Sequence, residues 1–323
     1  MMLTRRLYVS IPRHAAGVGP VDFLAGRFSY LDRASWMAEI DGGRVLVNGQ
    51  RASAGLVLRG GETVAYLPAD APEPPVDGLY AVLFEDEALL AVNKPGNLPC
   101  HPGGRYFRHT LWAMLQDRSP GQGLFFVHRL DRETSGVILI AKHSRDASDL
   151  GRQMARGEFR KRYAALVEGR FPSEPVTAEG LISTDPASVI RKKMRFFPTG
   201  SLESPPDKGK PCCTQFSTLR TGHSLSLVSA MPITGRRHQI RATLLALGYP
   251  VVGDKIYGVE EALFVRFIED RLTDPDRARL RMERQALHAA ALEFHHPRTG
   301  RPLCIEAPVP EAFRRLVELA GYV

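Results

Sequence analysis

The sequence predicts an α+β protein of two domains: a small α+β module over residues 1–70, a linker over 71–77, and a larger domain over 78–323. The larger domain is expected to carry a mixed, largely antiparallel sheet. Three observations lead there. A length of 323 residues exceeds one average domain and allows a large buried core. Residues 69–77 read Ala-Asp-Ala-Pro-Glu-Pro-Pro-Val-Asp, a Pro-rich acidic stretch of linker character. Beyond it, apolar runs and helical patterns mix without the regular strand-helix alternation of a parallel α/β sheet, and no internal repeat is visible.

In the small module, Val21, Leu24, Ala25 and Phe28 recur at helical spacing, and Trp36, Met37 and Ile40 predict a second short helix. Gly42-Gly43 breaks it. Residues 44–49 then read as a strand entering an Asn48-Gly49 hairpin turn, and Val64, Ala65 and Tyr66 as a last strand. After the linker, the apolar runs 80–84 and 89–93 flank Glu85-Asp86-Glu87 and predict a hairpin. Strands are expected at 124–127 and 137–141, on either side of a polar loop. Ser144 is the expected N-cap of a helix through about Arg156, stopped by Gly157. A strand follows at 163–168, and residues 198–211 read as a flexible loop. A helix over 239–247 places Ile240, Thr243, Leu244 and Leu247 on one side, with Arg241 pointing outward from that face. Two helices within 259–286, split near Pro275, two strands at 288–294 and 302–306, and a terminal helix from Pro310 complete the reading.

Composition narrows the class. The chain is 44% hydrophobic and 24% charged, as in soluble globular proteins, and no apolar run approaches the ~18 residues of a transmembrane helix. The first 20 residues carry Arg5, Arg6 and Arg13 but lack the apolar core of a signal peptide. The four cysteines, Cys100, Cys212, Cys213 and Cys304, form no disulfide or zinc pattern, so a reducing cytoplasm is expected. A net charge of +8 and a pI near 9.5 favour a polyanionic partner. The basic excess lies beyond residue 76, clustered at 152–162, 191–195 and 236–241.

Several chemistries lack their usual signatures. There is no phosphate-binding G-x-x-x-x-G-K-[ST] loop, no G-x-S-x-G elbow and no H-E-x-x-H pair. His295-His296 before Pro297 reads as a strand-end turn, and no metal site is expected. The informative stretch is residues 127–142, Val-His-Arg-Leu-Asp-Arg-Glu-Thr-Ser-Gly-Val-Ile-Leu-Ile-Ala-Lys, a charged loop between two apolar strands. Asp131, flanked by Arg129 and Arg132, would stay ionised, because nearby positive charge favours the carboxylate. An ionised carboxylate is what nucleophilic attack requires. On local chemistry alone, a solvated loop with a surface ion pair is the better explanation of these residues.

The stretch as a whole resembles the H-R-L-D-x-x-T-S-G motif of the RluA-type RNA pseudouridine synthases. Three further blocks resemble the family in the same order. They are 85–95 with His101-Pro102-Gly103, then 161–169, Lys-Arg-Tyr-Ala-Ala-Leu-Val-Glu-Gly, then 234–241, Thr-Gly-Arg-Arg-His-Gln-Ile-Arg, with 248–258. The resemblance covers about residues 80–308. Residues 18–68 resemble the S4 RNA-binding module, although this stretch is nearly neutral. The resemblance implies the pseudouridine synthase fold, RNA as partner, no cofactor, no membrane association and a monomer.

Carried over position by position, the resemblance makes Asp131 the nucleophile and Arg129 the residue that fills the RNA stack vacated by the flipped nucleotide. Tyr163 would stack on the uracil and accept a proton, and Arg241 would pair with Asp131. Arg132, Lys161, Arg236 and Arg237 are expected to bind RNA. Glu133 stands where Asp is common, Arg237 where Thr is common, and Ala242-Thr243 replace the usual Val-His; none removes an assigned group. Residues 103–109, Gly-Gly-Arg-Tyr-Phe-Arg-His, resemble a segment of members acting on transfer RNA. The implied reaction breaks N1–C1′, turns the base and joins C5 to C1′, with Asp131 attacking C1′ or supporting a glycal. Ribosomal and transfer RNA both stand as substrates. The alternative from another class is a non-catalytic RNA-binding or chaperone protein that keeps the fold.

Overall fold

A computed structural model describes residues 7–28, 31–67 and 73–319. The chain forms two compact units, one reaching to Pro74 and including Gly103–Arg108, the other comprising Pro75–Pro102 and His109–Val323. The expected helix over 21–28 forms, and the expected linker over 71–77 falls partly outside the described residues, at 71–72.

The small unit holds β1 (Leu7–Ser10), α1 (Pro20–Arg27), α2 (Arg33–Asp41), β2 (Val45–Val47), β3 (Gln50–Arg51) and β4 (Thr63–Tyr66), its sheet ordered β1-β4-β2-β3. Asp32 caps α2 by accepting from the Ser35 N–H at 2.7 Å. Asn48 and Gly49, both at positive φ, turn β2 into β3 as the Asn-Gly pair requires. Leu24, Trp36, Val45 and Leu58 are sealed in its core. Strand β1 was not foreseen from the sequence.

The large unit contains β5 (Ala81–Glu85), β6 (Leu89–Lys94), α3 (Leu111–Arg118), β7 (Phe125–Phe126), β8 (Ser135–Ala141), α4 (Ser144–Ala155), β9 (Arg160–Glu168), β10 (Val176–Thr184), β11 (Met194–Pro198), β12 (Lys210–Thr221) and β13 (Leu225–Pro232). It continues with α5 (Gln239–Ala246), α6 (Ala262–Ile268), α7 (Asp274–Leu280), β14 (Leu287–His295), β15 (Pro302–Glu306) and α8 (Glu311–Leu319). These strands make one sheet with the path β11-β10-β12-β13-β9-β14-β8-β6-β5; β15 pairs with β14 and β7 with β8. Among the described residues every pairing is antiparallel except β8 with β14. The mixed, largely antiparallel α+β fold expected from the sequence is therefore what forms.

Strand β8 is buried at every position, which is why it reads as a continuous apolar run rather than an alternating one. Its parallel crossing with β14 depends on Gly136, at φ +114, where a Cβ would lie 2.2 Å from the Ala289 carbonyl oxygen. Across β8, β14 and β9, Gly136 sits beside Ala289 and Ala289 beside Tyr163. A bulge in β14 between Ala289 and Ala291 follows directly.

Some element edges differ from expectation. His143, not Ser144, occupies the N-cap of α4, and its side chain makes no capping bond. The strand expected at 124–127 shrinks to β7. The two helices expected within 259–286 form as α6 and α7, and the split falls just ahead of Pro275, which lies in the first turn of α7 behind a Thr273–Asp276 capping box. His296 closes the turn after β14, its ring bonded to Asp86 at 2.9 Å.

Candidate active site

The loop from His128 to Thr134 links β7 to β8 and is pinned along its length. Cys100 Sγ lies 3.4 Å from the Leu130 carbonyl and 3.5 Å from its N–H. The Arg132 carbonyl accepts from the Leu98 N–H at 3.0 Å and from Lys94 Nζ at 3.1 Å. Lys94 is wholly buried, and burial drives its pKa down to about 8. Glu133 takes Lys255 Nζ at 3.1 Å and the Gln285 N–H at 3.2 Å, while Gln285 Nε2 reaches Thr134 Oγ1 at 2.5 Å. The Glu in place of the common Asp thus has a full set of partners.

Asp131 is the loop residue left with a side chain 35% exposed. Its Oδ2 accepts from Arg241 Nη1 at 2.7 Å, and its Oδ1 lies 3.7 Å from His238 Nε2. Burial works hardest, to raise its pKa; the Arg241 charge, the neighbouring His238 ring and hydrogen bonds from Arg241 and Gln285 together outweigh that and hold it below the ordinary aspartate range. Asp131 is therefore a carboxylate at neutral pH. The expected flanking arginines are not its partners. Arg129 is exposed and has no hydrogen bond or ion pair among the described residues, and Arg132 pairs with Glu133 at 2.9 Å.

Arg241 does not point outward, as its helical position had implied. It is 5% exposed, because the whole first turn and a half of α5 is buried. A second carboxylate compensates the charge: Asp254 accepts from Arg241 Nε at 2.6 Å and Nη2 at 2.8 Å. Asp254 is held in turn by the N–H groups of Ile256 and Tyr257, each at 3.0 Å. The guanidinium also lies over the Tyr257 ring, 4.8 Å from its centroid. Burial opposes the Arg241 charge, but the two carboxylates raise its pKa above the ordinary value. The arrangement is a carboxylate-guanidinium-carboxylate relay with one end buried and the other open.

Tyr163 stands on β9 among hydrophobic neighbours from two core clusters. Burial, then the Asp131 charge, raise the pKa of its phenol, so it stays protonated and within the electrostatic reach of that carboxylate. Lys161, two residues earlier on the same face, has its pKa lowered by burial. Its Nζ lies where a side chain on Gly235 would touch it, at 3.2 Å. Arg236 donates to the Pro211 carbonyl at 3.0 Å and Arg237 to that of Lys192 at 2.5 Å; both are exposed.

Asp131, Arg241 and Tyr163 come together as expected. Sequence reasoning missed Asp254, His238, Lys94 and Gln285. The first three lie in the motif blocks themselves, so the signal was present without a role attached to it.

Comparison with known proteins decides the family. Residues 88–246 match the RNA pseudouridylate synthase family model. The ribosomal large subunit pseudouridine synthase D of Xanthomonas campestris is 33% identical over 315 residues, 95% of this chain and 90% of that protein. The chain belongs to the RNA pseudouridylate synthase family. The mitochondrial tRNA pseudouridine(32) synthase of Saccharomyces cerevisiae is 33% identical over 75% of this chain and 50% of that protein. Among solved structures, human RNA pseudouridylate synthase domain containing 1 superposes with a TM-score of 0.57 at 25% identity, covering 77% of this chain and 97% of that one. Membership makes the protein an isomerase acting on RNA uridine, and the non-catalytic alternative is not favoured. Among the described residues no helix is long and apolar enough to cross a membrane.

Proposed function

We propose that Asp131 is the nucleophile of this pseudouridine synthase, with Arg241 as its ion partner and Tyr163 as the residue that stacks on the flipped uracil, its phenol, protonated at rest, taking the C5 proton only as it releases its own to water. The observation that carries the reading is the 2.7 Å contact of Arg241 with a part-exposed Asp131 whose pKa is held low. N1–C1′ breaks, the base turns, C5 joins C1′, and the C5 proton leaves. Extruding a uridine from folded RNA costs a few kcal/mol of stacking. Arg129, exposed and unpaired among the described residues, suits the role of filling the gap. Arg132, Lys161, Arg236 and Arg237 supply positive charge for the flanking phosphates.

For the substrate we favour large-subunit ribosomal RNA, because a relative matching nearly the full chain carries that name. Transfer RNA is the second reading, supported by the sequence of residues 103–109. In the small unit, two helices followed by a short sheet support an S4-like RNA-binding role. Tritium release from RNA labelled at uridine C5 tests the activity. Release by wild type and none by Asp131→Asn is expected. Equal release by the variant would remove Asp131 as nucleophile. Pseudouridine mapping of both RNA classes in a deletion strain identifies the substrate.

A further inference from the structure

His238 is held in an unusual way for a residue with no assigned role. Its backbone is left-handed, φ +54, at the N-cap of α5, a conformation few non-glycine residues adopt. Its ring stands edge-on to Tyr257, with Nδ1 2.8 Å from the Tyr257 hydroxyl and Nε2 3.7 Å from Asp131 Oδ1.

Hydrogen-bond accounting fixes which ring nitrogen carries the proton. The Tyr257 hydroxyl already accepts from the Met194 N–H at 2.7 Å. Tyr257 is 0% exposed, so its own O–H must find an acceptor. Among the described residues His238 Nδ1 is the one within reach. If Nδ1 accepts, a neutral imidazole bears its proton on Nε2, the nitrogen that faces Asp131. Burial drives the His238 pKa to about 4, consistent with a neutral ring at working pH. The opposite tautomer would strand the buried phenol proton and turn an imidazole lone pair toward a carboxylate.

We infer that His238 is a positioning residue whose Nε2 proton, fixed by Tyr257, addresses Oδ1 of Asp131 while Arg241 holds Oδ2. Together the two donors set the plane of the carboxylate. At 3.7 Å the contact is longer than a hydrogen bond. Closing it to hydrogen-bonding distance requires a small shift of the carboxylate. The inference rests on the reading of Asp131 as the nucleophile.

Two measurements on the full-length protein test it. In protein labelled with 15N-histidine, with the His238 signals assigned by their loss in His238→Gln, the ring shifts at neutral pH should report the Nε2–H tautomer. A proton on Nδ1 overturns the inference, whatever the activity. In single-turnover tritium release, His238→Ala should lose about 10- to 100-fold in rate, the worth of a hydrogen bond to a charged group. RNA affinity should be unchanged, while thermal unfolding of His238→Ala should come earlier by the ~1–3 kcal/mol cost of leaving the buried Tyr257 O–H without its acceptor. His238→Gln, which restores an N–H donor at similar reach, should recover much of the rate. Equal rates for the two variants, or wild-type rates for both, overturn the inference. Wild-type protein and Asp131→Asn run alongside: activity surviving in Asp131→Asn marks failure of the nucleophile reading instead.

Discussion

Asp254 grips Arg241 through two parallel hydrogen bonds, Nε to Oδ2 at 2.6 Å and Nη2 to Oδ1 at 2.8 Å, and leaves Nη1 alone to face Asp131. The guanidinium can therefore neither rotate nor retreat. Its remaining hydrogen bond is committed to one oxygen of Asp131. Because Asp254 is fully buried, removing it strands a buried cation. Asp254→Ala should lower the unfolding free energy by about 3–5 kcal/mol, the usual result of breaking a buried pair from one side. Urea unfolding measures it. A loss under ~1 kcal/mol would place the pair in the class of surface bridges and contradict the relay.

Arg241 itself tests geometry separately from charge. Lysine keeps the charge but cannot bond two carboxylates through a rigid fork. Arg241→Lys should cut the single-turnover rate by about 100-fold or more while RNA affinity changes little. A variant as fast as wild type would show that charge alone suffices at this position.

Three histidines, His288 buried and His128 and His238 partly buried, give the fold an acid sensitivity with a defined window. His128, His238 and His288 each have their pKa driven by burial to about 4, from an ordinary 6.5. His288 accepts at Nδ1 from Ser135 and donates from Nε2 to the Ala307 carbonyl, so protonation would place a charge in a buried site and force the Ser135 hydroxyl to reverse its role. For a base whose folded pKa is depressed, the unfolded chain binds the extra proton. Stability is full above pH 6.5 and falls as the pH drops from there to about 4. Each histidine contributes a slope of up to about 1.4 kcal/mol per pH unit. Chemical unfolding across that window should show the decline, and His288→Asn should make it shallower. A flat profile between pH 6.5 and 4 would mean that these rings are not held neutral.

Gly136 couples the site loop to the sheet. It lies five residues beyond Asp131, and a Cβ there would lie 2.2 Å from the Ala289 carbonyl oxygen and 2.6 Å from its nitrogen, so backbone would have to move. Gly136→Ala should destabilise the protein by at least ~3 kcal/mol, combining positive-φ strain with a backbone clash. Thermal unfolding is the measurement, and a near-wild-type melting temperature would refute the crossing geometry.

What was legible in the sequence depended on the range of the interaction. Strand β8 declared itself because burial on both faces leaves an unbroken apolar run. Asp131 and Tyr163 were legible through motif blocks that specify residue types at fixed spacing. Arg241 was recognised as the ion partner but misread as outward. A helical wheel sees the apolar face of α5, not a carboxylate 13 residues further along the chain that makes burial of a guanidinium tolerable. Lys94 and Gln285 escaped for the same reason: their partners, the Arg132 carbonyl and Thr134 Oγ1, lie 38 and 151 residues away. No local pattern encodes such pairings.

Arg129 separates RNA distortion from chemistry. It is exposed and free of hydrogen bonds and ion pairs among the described residues, so Arg129→Ala should leave the melting temperature unchanged. If the side chain fills the gap left by the flipped uridine, its loss removes stabilisation that matters only where stacking has been broken. On structured RNA the single-turnover rate should fall by about 10- to 100-fold, reflecting ~1–3 kcal/mol of stacking or cation–π contact. On a short unstructured oligonucleotide bearing the same uridine there is little stacking to replace, and the loss should shrink to a few-fold at most, ~1 kcal/mol. The ratio of the two losses is the quantity to measure. Equal losses on both substrates would assign Arg129 to general phosphate attraction, because such attraction acts on the backbone whether or not its bases are stacked.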